Sequence, residues 1–233
     1  MIENENEITE STEITAEQTT SISVPSRTLL AALSAADPFR IDSKMYRPVL
    51  ENFAVKIYSE NSVISSMIVE ATDSFTATEI TAIFPERDAT CSQNGEVKFC
   101  FGAGKKLREL AAVLAQAKTA SEQTKITVNH KNHTVFFSSL RQSLLVEAEQ
   151  AEYPNFANLY PAENAGNEQC VYNATYLARI EKSVQAARKT LGCDAPNLHL
   201  VVSSALKPSL FTWEIPAHKI SARVLIMPIR DNR

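Results

Sequence analysis

Apolar and polar positions along this chain fall into one pattern that recurs three times. It opens with Ser21-Ile22-Ser23-Val24, where every second residue is apolar, the period of a half-buried strand. The period then changes. Leu29, Leu30 and Leu33 share one face of a helix predicted over residues 26–36, and Asp37-Pro38 ends it, because a residue before proline is pushed out of the helical region. Three β-rich runs follow at residues 50–59, 62–71 and 75–84. After the turn signal Asn94-Gly95 the order returns: a strand at 96–101, a helix at 103–118 with Leu107, Leu110, Leu114 and Ala117 at helical spacing, and strands at 125–129, 134–139 and 143–149. A proline-bounded segment, 153–161, closes this part. The third round is a strand at 169–172, a helix at 175–191 striped by Leu177, Ile180, Val184 and Leu191 and stopped by Gly192, and strands at 198–203, 210–215 and 222–229.

Each round is strand–helix–strand–strand–strand. One helix per four strands predicts an α+β fold of antiparallel sheets covered on one face by helices. Residues 1–20 have no apolar period and are expected to be a disordered acidic tail, since they cannot bury enough surface to offset ordering. Each round is long for a repeat and closer to a half-domain, with two of them filling 21–162 and one 163–233. A half-domain leaves a sheet edge unpaired, and the expected partner for that edge is another chain.

The charge distribution changes the functional picture. The 233 residues hold 23 Lys and Arg against 27 Asp and Glu, a net charge of −4 that looks unsuited to nucleic acid. Six of the Glu lie in residues 1–20, which have no Lys or Arg, so the remainder carries a slight positive excess. On the third helix Arg179, Lys182 and Lys189 form a basic stripe away from the apolar one, and the second helix carries Lys105, Lys106, Arg108 and Lys118. Such a stripe reads either as a solvated face or as a salt-sensitive track for a phosphate backbone. No aromatic is interleaved with these residues, which argues against a platform for stacking single-stranded bases.

Catalytic chemistry is not visible. Phe101-Gly102-Ala103-Gly104-Lys105-Lys106 sits where a phosphate loop would but lacks its first Gly and its hydroxyl. His130 and His133 fall at a hairpin tip and read as solvated. Cys91, Cys100, Cys170 and Cys193 contain no C-x-x-C pair and read as thiols. The expectation is a non-enzyme with no metal and no cofactor. No apolar run approaches the roughly 20 residues that span a bilayer, and the acidic start is unlike a secretory signal. A cytoplasmic protein without membrane contact is expected.

Three segments, in order, resemble the bacterial DNA polymerase III β sliding clamp. Ala71-Thr72-Asp73-Ser74 resembles that family's "ATDG" turn; Tyr153-Pro154-Asn155-Phe156-Ala157-Asn158-Leu159-Tyr160-Pro161 its "FPDYRRVLP"-like linker; Arg223-Val224-Leu225-Ile226-Met227-Pro228-Ile229-Arg230 its final "VVMPMR"-like strand. The resemblance implies a DNA-clamp-like fold and a non-catalytic replication processivity factor that associates with duplex DNA and docks a polymerase or clamp-loader-type partner through a short peptide. By matching position, the peptide pocket would use Leu50, Thr72, Ser74, Phe75, Thr76 and Ala77; Pro154, Asn158 and Leu159; and Ser209, Leu225, Ile226, Met227, Pro228, Ile229 and Arg230. Lys105, Lys106, Arg108, Lys118, Arg179, Lys182 and Lys189 would face DNA inside a ring. The alternative is a clamp-derived regulatory module that binds such peptides without encircling DNA. This chain departs from the family where Ser74-Phe75-Thr76-Ala77 replaces Gly-His-Arg-Leu and where Asn158 replaces a basic residue. The first two half-units, over 21–162, resemble that family's complete middle domain and the third, 163–233, only the latter half of its last domain, so a ring of twelve half-units would need four chains, with half-domains joining across subunits.

Overall fold

A computed structural model describes residues 19–41, 47–85, 88–102, 106–117, 119, 121–140, 142–148, 152–155, 157–160, 170–202 and 206–229. The first repeat comprises β1 (Thr19–Pro25), α1 (Ser26–Ala36), β2 (Asn52–Glu60), β3 (Val63–Thr72) and β4 (Thr76–Ile83). A two-residue strand, β5 (Thr90–Cys91), leads into the second: β6 (Gly95–Gly102), α2 (Lys106–Leu114), β7 (Gln123–Asn129), β8 (Thr134–Ser138) and β9 (Ser143–Glu147). The third contains α3 (Ala174–Leu191), β10 (Leu198–Val201), β11 (Ser209–Ile215) and β12 (Ile220–Ile226). Of its expected opening strand, Val171 makes a single antiparallel bridge to Ile229. The tail expected over residues 1–20 lies outside the described residues except for Thr19 and Thr20, which already belong to β1. Thr20 is buried and bonds through Oγ1 to Nε2 of His130 at 2.9 Å, so that histidine has a protein partner.

All strand pairs are antiparallel, in the order β10-β11-β12-β4-β3-β5-β1-β7-β8-β9, with β2 joining β3 to β6. The first two repeats exchange their opening strands. β1 pairs along its whole length with β7, and β6 along its whole length with β2. Each of the two three-stranded meanders thereby gains a fourth strand from the other repeat. The third repeat joins the first through seven β12–β4 pairs, from Ile220↔Ala82 to Ile226↔Thr76. One edge of the third repeat is therefore completed within the chain rather than by a second chain.

Alternation decides which side chains enter the core. Ile80 and Ala82 of β4 face the same interior as Ala222, Val224 and Ile226 of β12, while Ala77, Glu79, Arg223 and Leu225 lie on the opposite face. α1 is enclosed: Leu29, Ala31, Ala32, Leu33, Ala35 and Ala36 are all buried. Its alanines permit close approach by α3, which buries Ile180, Ser183, Ala187 and Leu191 at helical spacing. Asn173 caps α3 by accepting from the Thr175 N–H, and Gly192 stops it in the left-handed conformation that favours glycine. Each fully buried Leu, Ile or Phe here contributes roughly 1.5–3 kcal/mol relative to exposure.

Candidate functional site

Residues 72–77 form the hairpin turn between β3 and β4, and one carboxylate organises it. Asp73 is buried, and its Oδ1 accepts from the N–H of Phe75 at 2.9 Å, the N–H of Thr76 at 2.7 Å and the Thr76 hydroxyl at 2.9 Å. Its Oδ2 takes an Nη1 of Arg179, which also donates to Thr76 Oγ1 at 2.9 Å. Thr72 Oγ1 donates to the Thr76 carbonyl at 2.7 Å and accepts from the Ser74 N–H at 3.1 Å. Ser74 has φ of 79°, a region where glycine is the ordinary residue, which gives a physical reason for the Gly of the resembling motif. The turn thus holds Phe75 outward, 52% exposed and stacked on Tyr176 of α3 with ring centres 6.3 Å apart. The Phe75 carbonyl accepts from the Met227 N–H at 3.0 Å, tying the turn to the chain beyond β12.

The linker is pinned against the seam between β4 and β12. Tyr153 and Tyr160 pack with Leu210 on Ala77 and Leu225. The Arg223 guanidinium lies 3.5 Å from the Tyr160 ring centre and pairs with Glu79 at 3.3 Å. Burial, with Glu79 nearby, pushes the Tyr160 hydroxyl far above its usual range, so it stays protonated.

Turn, linker and the end of β12 enclose a largely apolar cleft of about 240 Å³, lined by Thr72, Ser74, Phe75, Thr76, Ala77, Pro154, Leu159, Leu225 and Met227. Arg47, Asn155 and Pro208 complete the wall. Sequence reasoning missed these three; Asn155 and Pro208 adjoin residues it named, while nothing in the pattern around Arg47 marks it. Other predicted pocket residues lie elsewhere. Leu50 and Ile226 are buried in the interior; Ile226 alternates away from Leu225 and Met227, because one step along a strand reverses the face. Ser209 is buried and accepts the Tyr172 hydroxyl. Asn158 is exposed next to Leu159, Pro228 is half-buried, and Ile229 is held by Val171. Arg230 lies outside the described residues. On the other side of Pro154 and Asn155 a second hollow, about 330 Å³, is lined in part by Lys56, Glu70, Lys98 and Glu152.

The basic residues divide. Arg179 does not project freely from α3: it is committed to Asp73 and to the Tyr176 face, 5.3 Å from the ring centre. Lys182 and Lys189 are exposed on α3 beside Glu181, and Arg108 is exposed on α2 beside Glu109. Lys106 opens α2, while Lys105 and Lys118 lie outside the described residues. Among the described residues no group of His, Cys, Asp or Glu could hold a metal ion, and none of the four cysteines is in a disulfide. No helix among them is long and apolar enough to cross a membrane.

Solved structures decide what this architecture is. The sliding clamp of Pseudomonas aeruginosa superposes with a TM-score of 0.66 at 12% identity, over 91% of this chain and 66% of that one. The fold is that of a bacterial sliding clamp. The β clamp of Caulobacter crescentus matches with a TM-score of 0.69 at 14% identity, over 94% of this chain and 67% of that one. The Helicobacter pylori β clamp gives 0.67 at 11% identity. This clamp-like chain therefore spans about two thirds of the clamps it matches. No family model and no curated protein matches its sequence.

Proposed function

We propose that this protein is a non-catalytic, clamp-like DNA replication accessory factor that docks polymerase or clamp-loader-type partners by seating a short apolar-anchored peptide in the cleft. The observation that carries this reading is the cleft itself. Three segments far apart in sequence converge on it, and two of its apolar walls, Phe75 and Leu159, stand about half exposed beside each other's segments. Met227, Leu225 and Pro154 supply the floor for an anchor side chain, and the Asp73 knot keeps the turn from collapsing onto it. Non-specific association with duplex DNA through Arg108, Lys182 and Lys189 belongs to the same reading, as does a cytoplasmic location. Arg179 favours a second one. Its commitment to Asp73 removes a cation from the supposed DNA face, which suits a regulatory module that captures clamp-binding peptides without encircling DNA.

Fluorescence polarisation with a labelled peptide carrying Leu and Phe anchors tests the proposal. Wild type should bind, and Met227→Asp should lose binding at least tenfold while keeping its circular dichroism. Equal binding by both would overturn the assignment.

A further inference from the structure

The third repeat offers both halves of a strand exchange that the first two repeats have already made with each other. β10 is the end of the strand order, and among the described residues no strand lies on its outer side. The equivalent positions elsewhere are filled: β1 lies beside β7, and β6 beside β2. Burial records the difference. Ile126 and Val128 of β7 are 0% and 2% exposed, and Val55 and Ile57 of β2 are 1% and 0%. Leu198 and Leu200, which share a face with the core residues Trp213 and Phe211 across β10–β11, are 50% and 49% exposed. Two leucines on the interior face of a sheet are thus half exposed at an edge that, among the described residues, has no strand beside it. The opening segment of the same repeat is also half used. Val171 bridges Ile229 just beyond β12, as Phe101 bridges Ala148 just beyond β9. Phe101, however, belongs to a strand that also pairs with β2, whereas Val171 is 41% exposed.

We propose that two copies of this chain form a two-fold dimer through their third repeats, residues 170–172 of each copy pairing with the β10 edge of the other. Unpaired edge groups and exposed leucines specify a strand as the occupant. A second copy supplies a segment of the right type and needs the same in return, so the contact closes on itself with two identical seams. The intramolecular exchange of β1 and β6 is the template, with Ile22 opposite Ile126 showing how an opening strand covers the apolar face of its host. This inference rests on the fold and not on the peptide cleft, so either can fail alone.

Light scattering on the full chain should return twice the 25.7 kDa chain mass, or an even multiple of it. A monomer or an odd-numbered oligomer overturns the proposal. Leu200→Lys and Val171→Asp, both at half-exposed positions, should each give monomers with wild-type circular dichroism, with Leu198→Lys as an independent edge variant. Mixing Val171→Asp with Leu200→Lys should restore the dimer, because one seam is then unaltered and the other pairs the new carboxylate with the new ammonium. A dimer that survives Val171→Asp but not the edge variants would mean that β10 edges pair with each other, and would overturn the exchange.

Discussion

Replacing Asp73 should unmake the turn that carries the cleft. Asp73 Oδ1 accepts two backbone N–H groups and one hydroxyl at 2.7–2.9 Å, and Oδ2 holds Arg179, all with the carboxylate side chain 7% exposed. A hydrogen bond to a charged group contributes about 1.5–3 kcal/mol, and removing one member of a buried pair costs about 3–5 kcal/mol. Arg179 remains 26% exposed and can regain water, which places Asp73→Ala near the lower bound, about 3 kcal/mol. Asp73→Asn keeps the Oδ1 acceptor and loses the charge, at about 1.5 kcal/mol; Arg179→Met leaves the carboxylate its three Oδ1 donors and removes only the charged one, at about 2 kcal/mol. Urea unfolding with unchanged m-values reads these differences, and the double variant should show a coupling of about 1–2 kcal/mol. Coupling within about 0.5 kcal/mol of zero, or an Asp73→Ala cost under about 1 kcal/mol, would refute the view that this pair holds the turn.

Two further predictions follow from the charges. Burial pushes the Glu70 carboxyl above its ordinary 4.5, outweighing the pull of Lys56, so the folded state binds that proton more tightly than the unfolded one. The contribution of Glu70 to stability is therefore greatest below pH 4.5 and declines as pH rises through the elevated folded value; Glu70→Gln should gain on wild type across that interval, and parallel pH–stability curves would contradict this. On DNA, Lys182→Gln and Lys189→Gln should each reduce the salt-dependence slope of duplex binding by about 0.9, whereas Arg179→Gln should leave the slope unchanged. A slope that falls for Arg179→Gln and not for the lysines would reverse the assignment of cations.

Strands and helices were legible because alternation and the 3.6-residue period survive in nearly every element: the 26–36 helix is found with those bounds, and β12 differs from expectation only at its ends. β5 was not legible, since two residues carry no period. Neither was the destination of β1 and β6, because periodicity states which face a strand buries and not which repeat it joins. The same limit governs the site. Leu225, Ile226 and Met227 read alike as an apolar run, but the pairing of β12 with β4 turns Ile226 inward. Arg179 looked like one cation of a stripe, and its partner Asp73 lies 106 residues away. No local pattern encodes that contact.

The central claim is that the turn at 72–77, the linker at 154–159 and the end of β12 act together as one peptide site. Hydrogen exchange on the full chain, with and without a Leu- and Phe-anchored peptide, tests it most directly. Protection is predicted at all three segments together, with the β10 edge unchanged. Protection at β10, or at one of the three segments alone, would contradict the account.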